Sequence, residues 1–377
     1  MAERIHLSPP HMSGAELILV QEAFASNYIA PAGTMLSEFE RAFSERTGIA
    51  HCVALSSGTA AMHLAIKSLD LAPGDEVWAS TLTFIASIGP ALYERATPVF
   101  IDSDEAAWTL DPDLLDEAIS KAARIGKLPK AVIPTDIYGQ ACDLDRITSI
   151  CATYNVPVFA DSAEAVGCTY RGRHAGKGAN AAIFSFNGNK IITASNGGML
   201  ASDDRRLIDQ ARYLATQARE NTSHYEHRAV GFNYRLSNIC AAIGLGQLQV
   251  LDQRVLRRRE IFQRYQSTLS DCAGIRFMPE ATYGRSTRWL TVMLVDPNVT
   301  RCTPEKLRLA LDDANIEARP VWKPMHLQPV FAGARVIGGA VAEGLYDRGL
   351  CLPSGSSMND EDVDRISEIV RRTVCAH

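Results

Sequence analysis

Lys190 follows an apolar run and lies among polar and small residues. The segment AAIFSFNGNKIITASNGG predicts a buried strand ending at Ser185, then a loop and a Gly197-Gly198 turn. Ligands bind at strand exits in α/β sheets, and a lysine in a site that excludes water can stay neutral and attack a carbonyl carbon. Most lysines are surface charges, so the interpretation of Lys190 depends on what else reaches the same sheet edge.

Asp161 ends a second apolar run, in VPVFADSAEA. This position places a carboxylate at the carboxyl edge of a sheet, where it can pair with a cationic group of a ligand. The simpler interpretation is an N-cap for the turn that follows, because aspartate commonly caps helix starts. Taken alone, Asp161 favours the capping interpretation.

The segment ALSSGTAAMHLA predicts a strand, a turn of small residues and the start of a helix. Free backbone N–H groups and the hydroxyls of Ser57 and Thr59 would face an anion there, with Gly58 between them. The segment has neither the lysine of a Walker A loop nor GxGxxG spacing, so a nucleoside triphosphate or dinucleotide site loses support. It predicts a phosphate cup, with an ordinary capped turn as the alternative.

A phosphate cup, an acid and a lysine, each at a predicted strand exit, are together far more specific than any one of them. Pyridoxal 5'-phosphate (PLP) uses all three. Donors hold its phosphate, an acid keeps its ring nitrogen protonated, and a lysine forms a Schiff base with its aldehyde. We therefore predict a PLP enzyme with Lys190 and Asp161 as catalytic residues and Ser57, Gly58 and Thr59 at the phosphate.

Over residues 50–200, short β-branched runs alternate with helical segments, which predicts a mostly parallel sheet flanked by helices in an α/β fold. The predicted strands are HCVAL, DEVWAS, TPVFID, KAVIPT, VPVFAD, AAIFSF and GGMLAS. Residues 235–270 contain few helix breakers and predict one long helix. We place a domain boundary near residue 250, between a large PLP-binding domain (1–250) and a smaller C-terminal α+β domain (251–377).

The composition favours a cytoplasmic enzyme of small-molecule chemistry. A net charge of −5 gives no general attraction to nucleic acid or to a membrane surface. Nine cysteines without CxxC pairing favour a reducing compartment, and no apolar stretch is long enough to span a membrane. No metal is expected, because His224 and His227 have no evident third ligand. One basic cluster is expected to form the solvated face of a helix: Arg254, Arg257, Arg258 and Arg259.

Over nearly its whole length, from LSPPHM at residue 7 to CLPSG at residue 351, the sequence resembles the DegT/StrS family of PLP-dependent sugar aminotransferases. The resemblance is carried by SNYIAP, SSGTAAMHLA, FSFNGNKIIT, GFNYRLSNICAAIGLGQL and RPVWKPMH. It implies an aspartate aminotransferase-like (type I PLP) fold and transfer of an amino group from L-glutamate to a nucleotide-linked keto sugar. SPPHM, NGNKIIT, ARENTSHYEH and CLPSG are most similar to 4-aminotransferases acting on UDP-2-acetamido-2,6-dideoxy-4-keto sugars, as in bacillosamine biosynthesis.

The resemblance also implies roles for individual residues around the cofactor ring. Lys190 would form the Schiff base, Asp161 would pair with the pyridinium nitrogen, and Glu164 would approach the side of the ring hydroxyl. Phe84, in TFIAS, would stack on the ring.

Further residues are implied at the phosphate and at the substrate. Gly58, Thr59 and Ser185 would hold the phosphate, and Asn233 would reach the phosphate of a neighbouring subunit, which implies a homodimer with shared active sites. Other polar residues in motif-rich stretches could contact the UDP-linked sugar, or could form surface salt bridges instead: Arg219, His227, Arg319, Lys323 and His326.

Three positions depart from the family pattern and bear on the substrate side of the site: Ala160, Asp136 and Asn196. Within the family, the alternative substrate is GDP-4-keto-6-deoxymannose, as in perosamine synthases. A PLP dehydratase of the same fold would lack the Schiff-base lysine, so Lys190 counts against it. An alternative of another class is a non-catalytic, ligand-sensing protein on the same fold.

Overall fold

The computed structural model describes residues 3–374 of the chain. Its helices are α1 (Ala15–Ala25), α2 (Thr34–Thr47), α3 (Gly58–Lys67), α4 (Gly89–Tyr93), α5 (Pro112–Arg124), α6 (Leu144–Thr153), α7 (Arg205–Ala215), α8 (Asn238–Gln249), α9 (Leu251–Leu269), α10 (Pro297–Thr300), α11 (Pro304–Asp313), α12 (Ala340–Arg348) and α13 (Asp360–Val374). Its strands are β1 (His51–Leu55), β2 (Glu76–Ser80), β3 (Thr97–Ile101), β4 (Ala131–Ile133), β5 (Phe159–Asp161), β6 (Thr169–Tyr170), β7 (Arg173–His174), β8 (Ala181–Ser185), β9 (Gly198–Ser202), β10 (Ile275–Phe277), β11 (Gly284–Arg285), β12 (Thr291–Val295), β13 (Arg319–Pro320), β14 (Arg335–Ile337) and β15 (Gly349–Leu352).

The described residues form a central sheet in the order β1-β9-β8-β5-β4-β2-β3-β14. Its two halves meet between β5 and β4, where parallel bridges pair Val132 with Val158 and Thr135 with Asp161. All strands run parallel except β9, which is antiparallel to both β1 and β8. The predicted mostly parallel sheet is confirmed, and each of the seven predicted strands lies in it.

The central strands are apolar on both faces because helices cover both faces. In β2, Val77 and Ala79 pack in a core that includes residues of α3 and α7. Trp78, between them, packs on the opposite face with residues of α5 and α6. This alternation follows from the strand period of two, and it leaves the carboxyl edge of the sheet as the place where polar side chains can gather.

The prediction of one long helix over residues 235–270 is wrong. The segment forms α8 and α9, which are separated at Val250, where φ is −106° and ψ is 8°. Each helix buries its apolar residues against a different partner: α8 packs on α1 and α2, and α9 packs on α13. Because the two helices pack in different directions, the chain breaks at Val250, where no glycine or proline marks the break.

The C-terminal part of the chain contains an antiparallel sheet in the order β10-β12-β15-β13. Residues of α9, α11 and α13 share its apolar core. Short β14 does not join this sheet but pairs in parallel with β3 of the central one. The boundary near residue 250 stays a prediction, and β14 crosses it.

The predicted solvated arginine cluster is wrong for two of its four members. Arg254 and Arg258 are buried, with 8% and 1% of their surfaces exposed. Arg257, by contrast, bonds to Asp360 and remains partly exposed. Among the residues that the structure describes, no helix is long and apolar enough to cross a membrane.

Candidate active site

A cavity of about 310 Å³ lies at the carboxyl edge of β1, β5 and β8. It brings together residues from several segments that are far apart in the sequence, as expected for parallel strands whose ends meet. The predicted cofactor residues that line it are Ser57, Gly58, Thr59, Phe84, Asp161, Glu164, Ser185 and Lys190.

One end of the cavity is the N-terminus of α3. Ser57 caps this helix, because its Oγ accepts a hydrogen bond from the Ala60 N–H at 3.0 Å. The first-turn N–H groups of Gly58 and Thr59 have no carbonyl partner within the helix. Ser185 adds a hydroxyl from the end of β8. The arrangement presents several donors and the positive end of a helix dipole, which suits a phosphate.

Gly198 allows β9 to pass against this helix start. A Cβ atom at Gly198 would lie 2.4 Å from the Gly58 nitrogen and 2.4 Å from the carbonyl carbon and oxygen of Ser57. Real Cβ atoms do not approach backbone this closely, so any side chain at this position would displace the cup. The sequence predicted a Gly197-Gly198 turn but not this contact.

Asp161 is buried and lines the same cavity, and both of its carboxylate oxygens accept hydrogen bonds. Oδ1 accepts from the Ala163 N–H at 3.1 Å, and Oδ2 accepts from the Ser87 hydroxyl. Ser87 in turn bonds to Thr83, and Thr83 to Thr135. Burial raises the pKa of Asp161, and these donors with the Lys190 cation act against that rise. The capping role considered for Asp161 and its place in the cavity therefore coexist.

Lys190 lies in the loop between β8 and β9 with its amine inside the cavity. Its Nζ is 3.5 Å from Glu164 Oε1 and 4.2 Å from the centre of the Trp289 ring. The other oxygen of Glu164 accepts from the Tyr138 N–H at 2.7 Å. Burial raises the pKa of Glu164 to about 7, opposed by the nearby Lys190. A lysine, a poised carboxyl and an aromatic face thus share a region with little access to water.

A second cavity of about 780 Å³ adjoins the first. Phe84, Trp289 and Trp322 line both cavities, and the Phe84 and Trp322 rings lie 5.4 Å apart. Two of the predicted substrate residues, Arg319 and Lys323, line this second cavity. The second cavity is therefore larger than the first and has two cationic side chains in its lining.

The other predicted substrate residues line neither cavity. Arg219 stacks on Tyr225 at 4.4 Å, and His227 bonds to the Gln217 carbonyl oxygen at 2.9 Å. The His326 ring lies between Thr81 Oγ1, at 2.6 Å, and Glu343 Oε1, at 3.0 Å.

Asn233, predicted to serve a neighbouring subunit, is exposed and also lies outside both cavities. It stays a prediction, because a single chain does not test it. His224 pairs with Glu226, and residues 3–374 contain no group of three or more potential metal ligands.

The three departures from the family pattern occupy different surroundings. Ala160 is buried in β5. Asp136 is also buried and does not line the cavity; it accepts from Ser162 Oγ at 2.5 Å and from the Cys142 N–H at 2.9 Å. Asn196 lines the cavity and accepts from the Gly197 N–H at 2.9 Å. Only Asn196 is therefore placed to meet a ligand directly.

Sequence reasoning missed Ser87, Trp289 and Trp322. Ser87 lies in TFIAS, the segment that supplied Phe84, so its hydroxyl was available as a signal. Trp322 belongs to RPVWKPMH, in which only the charged residues and the histidine were predicted to contact a substrate. Trp289 lies in TRWLTVMLV, where nothing local indicates that it faces Lys190.

Comparison with known proteins identifies similar chains. Residues 10–371 match the DegT/DnrJ/EryC1/StrS aminotransferase family. The chain is 48% identical over 374 residues to EpsN of Bacillus subtilis, whose name describes a pyridoxal phosphate-dependent aminotransferase, with 98% of this chain and 96% of EpsN covered. It is 36% identical over 364 residues to the GDP-perosamine synthase of Caulobacter vibrioides, with 96% of each chain covered. The solved structure of TlmJ, an aminotransferase from Streptoalloteichus hindustanus, is similar with a TM-score of 0.90 and 30% identity, covering 99% of each chain.

Proposed function

The chain belongs to the DegT/DnrJ/EryC1/StrS aminotransferase family, and from that premise we propose that it transfers an amino group from L-glutamate to a keto sugar carried on a nucleotide. It is a PLP-dependent enzyme. The observation that carries the proposal is the single cavity that joins Lys190, Asp161 and the N-terminus of α3. These are the groups that the chemistry of PLP requires.

The residues present fit PLP. Gly58, Thr59 and Ser185 would hold the phosphate at the start of α3, where the close approach of Gly198 leaves the cup open. Asp161 would pair with the ring nitrogen and Phe84 would cover a ring face. When bound, PLP supplies an electron sink for the carbon that loses a proton.

Each side chain then has a definite task. Lys190 would hold the cofactor covalently and, when its amine is free, would move the proton at the Cα of the amino donor. Asp161 would keep a proton on the ring nitrogen of the cofactor. The hydrogen bond from Ser87 favours the ionised carboxylate that this role requires. Trp289 and Trp322 limit the access of water to the amine.

The proposed acceptor is a UDP-linked 2-acetamido-2,6-dideoxy-4-keto sugar, giving the 4-amino sugar and 2-oxoglutarate. Support comes from SPPHM, NGNKIIT, ARENTSHYEH and CLPSG, and from the second cavity, where Arg319 and Lys323 suit a diphosphate. A second candidate is the GDP-linked 4-keto-6-deoxy sugar. It is favoured by the 36% identity to a GDP-perosamine synthase.

We further propose a homodimer in which Asn233 reaches the phosphate of the neighbouring subunit. Large apolar side chains are exposed along α1 and the segment after it, which is typical of a surface covered in an assembly. They are Leu17, Ile18, Phe24, Tyr28 and Ile29, each at least 47% exposed.

The role of Lys190 can be tested by fixing the cofactor on the protein. Borohydride reduction of the holoenzyme, followed by peptide mass spectrometry, should place the added mass on Lys190. Lys190→Ala should lose both this adduct and the release of 2-oxoglutarate from glutamate. Lys121→Ala, an exposed lysine paired with Glu117, is the matched control. A Lys190→Ala variant with normal turnover would refute the proposal.

The acceptor can be identified by comparing UDP- and GDP-linked 4-keto-6-deoxy sugars in one coupled assay with glutamate. We expect the higher kcat/KM for the UDP-linked sugar. The reverse preference would replace this substrate with the GDP-linked candidate while leaving the aminotransferase assignment in place.

A further inference from the structure

Arg258 is a fully buried cation in α9. Within residues 3–374 it forms no ion pair with a carboxylate. Its Nη1 donates to the carbonyl oxygens of Trp289, at 2.6 Å, and Ser354, at 3.0 Å. Its Nη2 donates to Ser8 Oγ at 3.0 Å. Burial, with the Arg254 cation as a second cause, lowers the pKa of Arg258 to about 9. A buried charge without a counter-ion lowers the stability of the folded protein. A role of Arg258 other than stabilising the fold would explain why an arginine occupies this position.

Two residues that accept hydrogen bonds from Arg258, Ser8 and Trp289, also contact the peptide bond that precedes Lys190. The Asn189 carbonyl oxygen accepts two hydrogen bonds, from Ser8 Oγ at 2.7 Å and from the Trp289 indole N–H at 2.8 Å. Arg258 holds both donors, because it bonds to the hydroxyl of Ser8 and to the backbone of Trp289. The Trp289 ring also lies 4.2 Å from Lys190 Nζ. One guanidinium thus fixes the loop that carries Lys190 and the ring beside its amine.

We propose that Arg258 is a positioning residue for Lys190, acting through Ser8 and Trp289 on the Asn189 carbonyl. The inference rests on the role of Lys190 proposed above. The planar guanidinium reaches three acceptors in different directions, whereas a lysine ammonium concentrates its donors at one point. Charge alone therefore does not reproduce the arrangement. A reacting group displaced by about an ångström reacts much more slowly, by up to roughly 100-fold.

The test compares Arg258→Lys and Ser8→Ala holoenzymes with the wild type. We expect kcat to fall about tenfold or more in both variants, with the KM for glutamate within about twofold of the wild type. The pH midpoint of the visible absorbance of the bound cofactor should shift in both, since that midpoint reports the surroundings of the Lys190 nitrogen. Arg257→Lys is the matched control: Arg257 also bonds to a carbonyl oxygen, that of Met358, but not to the Lys190 loop.

The outcomes separate this inference from the proposed function. Folded Arg258→Lys and Ser8→Ala enzymes with wild-type kcat and absorbance midpoint would overturn the positioning role. If Arg258→Lys does not fold, Ser8→Ala alone decides, because it removes the path through Ser8 to the Asn189 carbonyl and leaves Arg258 and the Trp289 bond in place. Normal turnover by Lys190→Ala would instead refute the proposed function.

Discussion

Among single residues, two buried carboxylic acids lie one backbone hydrogen bond apart and have different surroundings. The Asp136 N–H donates to the Asp161 carbonyl oxygen at 2.9 Å. Only Asp161 lines the cavity, whereas the carboxyl of Asp136 is enclosed by Ser162 and Cys142. Asp161 is available to a ligand, and Asp136 holds the loop after β4 against the turn after β5.

We expect Asp136→Asn to weaken the pH dependence of stability. Burial raises the pKa of Asp136 to about 6, above the value of about 4 for an unfolded chain. The folded state then binds the proton more tightly, so this group's stabilising contribution is full below about pH 4 and is lost as the pH rises through about 6. The difference between the pKa of Asp136 in the folded chain and its pKa in the unfolded chain corresponds to about 2 to 3 kcal/mol in the free energy of unfolding. Urea unfolding near pH 4.5 and near pH 7.5 measures it.

The control for this substitution is Asp313→Asn, at an exposed aspartate near the end of α11. It should change the free energy of unfolding equally at both pH values. If the Asp136→Asn protein lost as much stability as the wild type between these pH values, the buried, protonated state of Asp136 would be disproved.

Ser87→Ala should impair the enzyme through Asp161. The hydroxyl of Ser87 lowers the pKa of this buried carboxyl, so its removal leaves less of Asp161 ionised to pair with the ring nitrogen. A hydrogen bond to a charged group contributes about 1.5 to 3 kcal/mol, so we expect kcat to fall about tenfold or more. Steady-state kinetics and cofactor retention on dialysis provide the measurement. Ser37→Ala, an exposed serine of α2, should have no effect, and an unimpaired Ser87→Ala enzyme would contradict the prediction.

The two catalytic residues predicted from the sequence follow predicted strands. Lys190 and Asp161 follow apolar runs, so their approach could be predicted from the topology of a parallel sheet. Trp289 reaches Lys190 from the C-terminal part of the chain, and Arg258 acts from the middle of a helix. Both depend on tertiary packing, which no local pattern of residues encodes. Arg258 even followed the pattern of a solvated basic face.

Among the elements, the pair β8 and β9 is the unit on which the site is built. The loop between these antiparallel strands carries Lys190, and the first residue of β9 lies against the start of α3. One close backbone contact therefore joins the predicted phosphate cup to the strand that follows the Lys190 loop. Glycine is needed at Gly198 for space rather than for its backbone conformation.

Gly198→Ala should push β9 away from the start of α3. Its Cβ would need to move more than half an ångström away from the backbone of Ser57 and Gly58, which shifts the phosphate donors. We expect cofactor binding at least about tenfold weaker, a loss of about 1.4 kcal/mol. Titration of the apoenzyme with PLP measures the effect.

Gly89→Ala is the control for this substitution, because a Cβ there meets its nearest neighbour at 3.9 Å. It should bind PLP like the wild type. Unchanged affinity in Gly198→Ala would mean that the cup tolerates the displacement of β9.

Helix boundaries show where element prediction fails. Helix α3 begins where ALSSGTAAMHLA predicts a helix start, because Ser57 caps it. The break at Val250 has no glycine or proline to mark it. It arises because α8 and α9 pack against different partners, which is a tertiary constraint.

For the molecule as a whole, the fold class, the family and the cofactor were predictable from the sequence, and they are confirmed. These properties depend on motifs that are contiguous in the chain. The identity of the substrate's nucleotide and the oligomeric state cannot be predicted in this way. Both depend on surfaces formed by segments that are far apart in the chain.

The shared active site can be tested by mixing subunits. If Asn233 serves the partner's phosphate, a heterodimer of Lys190→Ala and Asn233→Ala subunits contains one site with both native residues. Co-expressed variants should then recover about a quarter of the wild-type activity, although each homodimer is impaired. Two differently tagged subunits, purified sequentially, isolate the heterodimer. Its activity should equal about half that of the wild type. No recovery in the purified heterodimer would place Asn233 in its own subunit's site.

Strand β14 has a consequence for how the protein is made. It is the last strand to join the central sheet, and it covers β3 along Val99, Phe100 and Ile101. While the chain is being synthesised, β3 therefore remains an open edge until residue 337 has left the ribosome. Open edges pair readily with other chains. A fragment that ends near residue 250 would keep this edge exposed permanently, so the N-terminal part should aggregate when it is expressed alone.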